Sequence, residues 1–122
     1  MIYNTIIDFW LCCCEPSYNL RCKISRMMIR YKLLPEKVEE NKALVKAVFA
    51  ELHTKNPAGI RYASFGFPDG LSFVHIVSLE TDGPNPLMSL ESFPLFTKEI
   101  KDRCEEPPLT MEMEEVGSYN LF

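Results

Sequence analysis

The chain has 122 residues, of which 47% are hydrophobic and 25% charged, and its net charge is −4. That length fits one domain, and that composition excludes a wholly disordered chain. The acidic balance, with no Lys/Arg cluster interleaved with aromatics, argues against a protein that tracks a nucleic-acid backbone or an anionic membrane surface.

Cys12, Cys13, Cys14 and Cys22 crowd the start of the chain, and Cys104 stands alone in the rest. A secreted disulfide scaffold spreads its cysteines through the fold. Three adjacent thiols cannot converge on one tetrahedral zinc ion. The main domain therefore reads as reduced and cytoplasmic. The apolar run from Thr5 to Cys14 is interrupted by Asp8 and has no Lys or Arg before it, unlike a signal peptide. It is also shorter than the roughly 20 residues a spanning helix needs. Regular patterning starts at Met27-Met28. Residues 1–26 are thus expected to be an N-terminal extension, poorly ordered or upstream of the natural start, and residues 27–122 to form the domain.

From Met28 to Leu34 apolar and polar residues alternate, which predicts a half-buried strand with Ile29, Tyr31 and Leu33 on one face and Arg30 and Lys32 on the other. Pro35 then opens a helix, where its missing N–H costs nothing. Val38, Val45, Val48 and Leu52 recur at helical spacing, joined by Leu44 and Phe49, and Asn56-Pro57 stops the run. Ile60 to Phe67 and Leu71 to Leu79 read as a hairpin turning at Pro68-Asp69-Gly70. Glu80 to Leu87 is loop. Ser92 is placed to cap a second helix, with Phe93, Phe96, Ile100 and Cys104 on one face. Glu105 to Pro108 ends it, and Leu109 to Val116 is the last strand, with Met111 and Met113 as core fillers.

The order β-α-β-β-α-β is the ferredoxin-like plan of an α+β domain. Right-handed crossovers then predict an antiparallel four-stranded sheet in order 4-1-3-2, with both helices on one face. The bare face calls for a partner, and a second copy of the chain is the simplest. On that face Arg30 and Lys32 are expected to meet Glu112 and Glu114 of the neighbouring strand.

The chain resembles the antibiotic biosynthesis monooxygenase domain family of dimeric α+β barrel proteins, and a group of short bacterial proteins within it most closely. The residues that carry the resemblance run from Met28 to Tyr119. They are Ile29-Arg30-Tyr31 with Lys37-Val38-Glu39-Glu40-Asn41; Gly59-Ile60-Arg61-Tyr62 with Phe73-Val74-His75-Ile76; Phe93 and Phe96; and Glu106-Pro107-Pro108 with Val116-Gly117-Ser118-Tyr119. The resemblance implies a homodimeric barrel with a pocket between each sheet and its helices. It also implies oxidation of aromatic polyketides or quinols without metal or flavin, or degradation of haem. The haem-degrading branch uses a pocket Trp, and here the sole Trp is Trp10, outside the domain. The stretch Thr81-Asp82-Gly83-Pro84-Asn85-Pro86 departs from the family pattern where the pocket would open.

His75 shares strand parity with Phe73 and Val77, so it interrupts an apolar row. It is the candidate general base, weighed against a satisfied core or interface histidine. Tyr31, Tyr62, Phe73 and Phe96 are candidate ligand-binding residues, weighed against ordinary core aromatics. Arg61 and His53 read as surface residues, and Cys104 as a small buried hydrophobe. No phosphate loop, zinc motif or nucleophile elbow occurs in the domain, so no metal or other cofactor is expected. The expected function is a cofactor-independent monooxygenase acting on a small phenol- or quinol-type aromatic, as a homodimer. The alternative is a non-catalytic dimeric module that binds a small ligand or only assembles.

Overall fold

The computed structural model describes residues 24–121. Trp10, the four N-terminal cysteines and most of the expected extension therefore lie outside the described residues. Strand β1 spans Ser25–Leu33, starting at Ser25 rather than Met28. Its alternation is that of a strand with one face on a core. Met27, Ile29, Tyr31 and Leu33 are buried, and Arg30 is exposed.

A 3-10 turn at Pro35–Lys37 leads into helix α1, Val38–Lys55. Its apolar stripe (Val38, Leu44, Val45, Val48, Leu52) packs on the sheet. Asn56 ends it in a left-handed conformation, φ 48°, and its N–H donates to Leu52 O. Asn tolerates that region better than most residues, and Pro57 forbids a further helical turn. Strands β2, Ile60–Gly66, and β3, Ser72–Leu79, pair as a hairpin. In its turn Asp69 Oδ1 accepts from the backbone N–H of Leu71 and Ser72, both at 2.8 Å, and Gly70 takes φ +75°. A 3-10 turn at Pro86–Ser89 and two short helices follow, α2 at Ser92–Thr97 and α3 at Ile100–Arg103. Strand β4 is Cys104–Met113.

The four strands form one antiparallel sheet in order β2-β3-β1-β4, as the sequence predicts. The helices cover the face that carries Ile29, Tyr31, His75 and Val77. The fold is α+β and ferredoxin-like.

Three expectations fail around the last strand. Cys104 is not the end of a helical face; it opens β4, which runs through Pro107 and Pro108. An edge strand tolerates prolines because its outer N–H groups have no ladder partner to lose. Glu112 does not join Arg30 and Lys32 on the helix-distal face. It pairs with Met27, so it points to the helix side, and Arg30 pairs with Leu109. Glu114 lies beyond the strand. Leu109, Met111 and Met113 take the helix-distal face instead, with Leu109 50% and Met111 38% exposed, so they do not fill the helix-side core.

Ser92 is not a side-chain N-cap either. Glu91 is the cap residue, and the α1 residue Glu51 does the capping. Its carboxylate accepts from the Glu91 and Ser92 N–H groups, each at 2.9 Å, and from the Ser92 hydroxyl at 2.6 Å. These bonds, the Ser92 hydroxyl foremost, hold the Glu51 carboxyl down at about 2. A carboxylate depressed by folding stabilises fully above its unfolded value of 4.5, and that contribution fades as pH falls towards about 2. Glu51→Gln should therefore lower the urea midpoint near neutral pH, with the gap to wild type closing in acid. A gap independent of pH would contradict this capping role.

Candidate functional site

On the helix-side face β3 contributes Phe73, His75 and Val77, and β1 opposes His75 with Ile29. His75 is 1% exposed. An imidazole buried this deeply must have both ring nitrogens satisfied, because an unpaired buried polar group costs about 1–3 kcal/mol. Both are. The Tyr31 hydroxyl lies 2.8 Å from Nε2, the Tyr62 hydroxyl 2.8 Å from Nδ1, and the Ser64 hydroxyl 3.2 Å from Nε2.

The network continues away from His75. Asn41 of α1 donates through Nδ2 to the Tyr31 hydroxyl at 3.0 Å. Arg103, at the end of α3, donates through Nε to Asn41 Oδ1 at 2.9 Å and through Nη2 to Phe96 O. Asn41 is 0% and Arg103 3% exposed, and no carboxylate among the described residues forms an ion pair with this guanidinium. Burial draws the Arg103 pKa down, and the more distant Glu40 and Glu99 carboxylates act in the opposite direction.

The five residues singled out from the sequence come together. Phe96 stacks on His75 with centroids 5.4 Å apart, and Tyr31 lies 5.3 Å and Tyr62 5.7 Å from the same ring. Phe73 stacks on Tyr31 at 6.0 Å. These rings pack against one another and fill the layer between sheet and helices. Tyr31 lines an opening of about 380 Å³ with Arg30, Phe67, Pro107 and Leu109, and Tyr62 lines a cleft of about 190 Å³ at the end of α1, with Phe49, Leu52, His53, Asn56, Pro57 and Ile60. Phe49 stacks on Tyr62 there at 4.9 Å. The cleft is somewhat larger than the roughly 150 Å³ cavity that holds one benzene. Half-buried Tyr62 thus touches His75 through its hydroxyl and lines this cleft with part of its side chain.

Burial alone pushes the His75 pKa down to about 3; burial foremost, with smaller contributions from titratable neighbours, raises both tyrosine hydroxyls above their ordinary value. His75 is therefore neutral at physiological pH, and a weak base in this closed arrangement. Cys104 is half-buried, and desolvation lifts its thiol to about 11, which makes it inert as a nucleophile. Arg61 is exposed and pairs with Glu80 at 3.1 Å, as a solvated strand residue would. Among the described residues no three His, Cys, Asp or Glu side chains gather as a metal site would require, and no helix is long and apolar enough to cross a membrane.

Asn41, Ser64 and Arg103 are the site residues that sequence reasoning missed. Asn41 falls on the apolar stripe between Val38 and Val45, and Arg103 follows Phe93, Phe96 and Ile100 at the same spacing. A polar residue in register with an apolar face was the signal available in each case.

No family profile and no curated protein matches the chain. Solved structures do. A protein described as "Putative antibiotic biosynthesis monooxygenase from Nitrosomonas europaea" is 13% identical, with a TM-score of 0.62 over 77% of this chain and 91% of its own. An "antibiotic biosynthesis monooxygenase" matches with 15% identity and a TM-score of 0.58 over 76% of this chain and 99% of its own. A protein from Pseudomonas aeruginosa is 14% identical, with a TM-score of 0.62 over 78% and 96% of the two chains. The chain has the fold of the antibiotic biosynthesis monooxygenase-like proteins. At these identities the likeness concerns fold, and activity must be argued from the site.

The burial of His75 has a measurable consequence. A histidine whose pKa is depressed by folding takes up a proton more readily when unfolded. Its neutral burial therefore stabilises the fold fully above about 6.5, and that contribution is lost as pH falls towards about 3. Between those limits wild type should lose up to about 1.4 kcal/mol per pH unit relative to His75→Gln. Chemical denaturation of the two proteins across that range checks the slope, and parallel stability curves would contradict it.

Proposed function

We propose that this chain is a cofactor-independent monooxygenase-like protein that works as a homodimer on a small phenol- or quinol-type aromatic. The observation that carries the reading is the buried Tyr31–His75–Tyr62 relay meeting a one-ring cleft through Tyr62. The fold shared with the monooxygenase-like proteins supports it.

The chemistry needs no outside reductant. A phenol oxidised to a quinone takes up one oxygen atom of O2, and the other leaves as water with both hydrogens from the substrate. The protein's task is to hold the ring, exclude water and favour the phenolate, the electron-rich form that reacts with oxygen. His75 in its closed state is too weak a base to take the proton. Moving one from a phenol near pKa 10 to an imidazole at about 3 would cost about 10 kcal/mol. Its role is to hold Tyr62, whose hydroxyl stabilises the substrate oxygen, while the proton leaves through the cleft.

The helix-distal face supports the homodimer. Phe65, Leu109 and Met111 stand exposed there; one row across the sheet, Ala63, Ile76, Met28 and Met111, is apolar, and exposed Arg30 interrupts the next between Val74 and Leu109. Two such faces stacked bury these apolar side chains as sheet packing does. Sedimentation at micromolar concentration should give a dimer, and Leu109→Asp with Met111→Lys should give folded monomers. A wild-type monomer would remove this part of the reading.

A second reading is favoured by one observation: the rings fill the helix–sheet layer and every nitrogen of His75 is satisfied, as in a non-catalytic module. Melting shifts with a panel of phenols, hydroquinones and quinones, paired with oxygen uptake, separate the two. The oxygenase reading expects at least one compound both to raise Tm and to consume O2 without added metal or flavin, and His75→Ala to abolish both. Shifts without uptake would establish the binding module. No shift with any compound would end the oxygenase reading.

A further inference from the structure

The polarity of the buried network can be read from its far end. Arg103 Nε is a donor only, so the Asn41 atom 2.9 Å from it must be the amide oxygen. The Asn41 NH2 then has to donate to Tyr31. The Tyr31 oxygen is thereby an acceptor towards Asn41, and its single proton is left for its remaining partner, Nε2 of His75. Ser64 can donate to the same nitrogen, as a weaker second donor at 3.2 Å. Nε2 is thus the acceptor of the neutral ring, and the ring proton sits on Nδ1, facing the Tyr62 oxygen 2.8 Å away. The reverse tautomer would strand the Tyr31 proton where the residue is 3% exposed. A stranded buried donor is the costlier arrangement. In the favoured one the leftover proton belongs to Tyr62, whose side chain is half-buried where Tyr31 is buried, and which lines the cleft at the end of α1.

We propose that Arg103 and Asn41 act as positioning residues that fix His75 in its Nδ1–H form and so leave the Tyr62 hydroxyl as a donor to the cleft, which then selects one-ring aromatics bearing a hydrogen-bond acceptor, such as a carbonyl, quinone or phenolate oxygen. The ligand half rests on the monooxygenase-like reading above. The tautomer half stands independently of it. The low basicity of His75 agrees with a ring that stays neutral throughout. The same donor would serve a phenolate before oxidation and a quinone carbonyl after it.

Nitrogen-15 NMR of the His75 ring tests the first half. Wild type should show a protonated Nδ1 and an unprotonated Nε2, and the opposite assignment would overturn the proposal. Asn41→Asp keeps an acceptor for Arg103 but turns a donor into an acceptor towards Tyr31. Tyr31 should then donate to the new carboxylate and accept from Nε2–H, so the tautomer should invert. A merely structural Asn41 predicts no inversion, and an unchanged tautomer in the folded variant would refute the relay. The second half is tested by melting shifts with acetophenone, which only accepts, and toluene, which does neither. Acetophenone should bind wild type about fivefold more tightly than toluene, the ratio expected of one net hydrogen bond. Tyr62→Phe should abolish that advantage. Equal affinities in wild type, no binding of either compound, or an advantage that survives Tyr62→Phe would overturn the ligand half. Acetophenone is not a phenol, so these outcomes are separable from a failure to take up oxygen.

Discussion

A neutral imidazole enclosed in an apolar layer must have one nitrogen donating and the other accepting, or the fold loses about 1–3 kcal/mol at that one residue. His75 meets this demand with hydroxyls from two different strands, Tyr31 of β1 and Tyr62 of β2, with Ser64 of β2 as a second donor. Tyr31 is held in turn by Asn41 of α1, and Asn41 by Arg103 of α3. The requirement of one ring therefore fixes the mutual positions of three strands and two helices. Apolar packing alone tolerates small slides between layers. A chain of directional bonds about 3 Å long tolerates them much less.

The same constraint sets the sheet register. Side chains alternate faces along a strand, so a slip of one residue in β3 would carry His75 to the open face and leave the tyrosines unpartnered. His75 pairs across from Ile29 on one side and Ser64 on the other, and those pairings bring the Tyr31 and Tyr62 hydroxyls within reach. Around the imidazole the helix-side layer holds aromatics, and branched aliphatics such as Ile29, Val48 and Val77 fill the rest of it. Phe96 stacks on the imidazole and Phe73 on Tyr31, giving flat neighbours to flat groups. Tyr62 lines the cleft at the end of α1, and Tyr31 lines another opening with Arg30, Phe67 and Leu109.

Much of this was legible in the sequence. The alternation Ile29, Tyr31, Leu33 against Arg30 and Lys32 gave the buried face of β1. The turn Pro68-Asp69-Gly70 located the hairpin, and the parity of His75 with Phe73 and Val77 put it in an apolar row, though not on which side of the sheet that row lies. The last strand misled because both of its rows alternate. Thr110 and Glu112 look like a solvent face, yet they point to the helix side, and Glu112 stays wet because β4 is the sheet edge. Leu109, Met111 and Met113 look like core, yet they face away from the helices, and no pattern within one strand says which side of the sheet the helices will cover. Asn41 and Arg103 were hidden for a different reason. Polar residues on an apolar stripe make sense only once their partners, Tyr31 and each other, are placed in space. The Glu51 cap of α2 comes from some forty residues upstream, and no local rule anticipates it.

If the buried relay organises both the fold and the cleft, the state of one ring reports on all of it. The most direct measurement is a pH titration of the His75 ring by NMR in the folded protein. The ring should stay neutral from about pH 8 down to about pH 5, below the range where histidines ordinarily titrate, and take up a proton only as the domain unfolds in acid. A reversible midpoint near 6.5 in the folded state would mean that the ring is solvated, and the relay would not be the element on which sheet, helices and cleft depend.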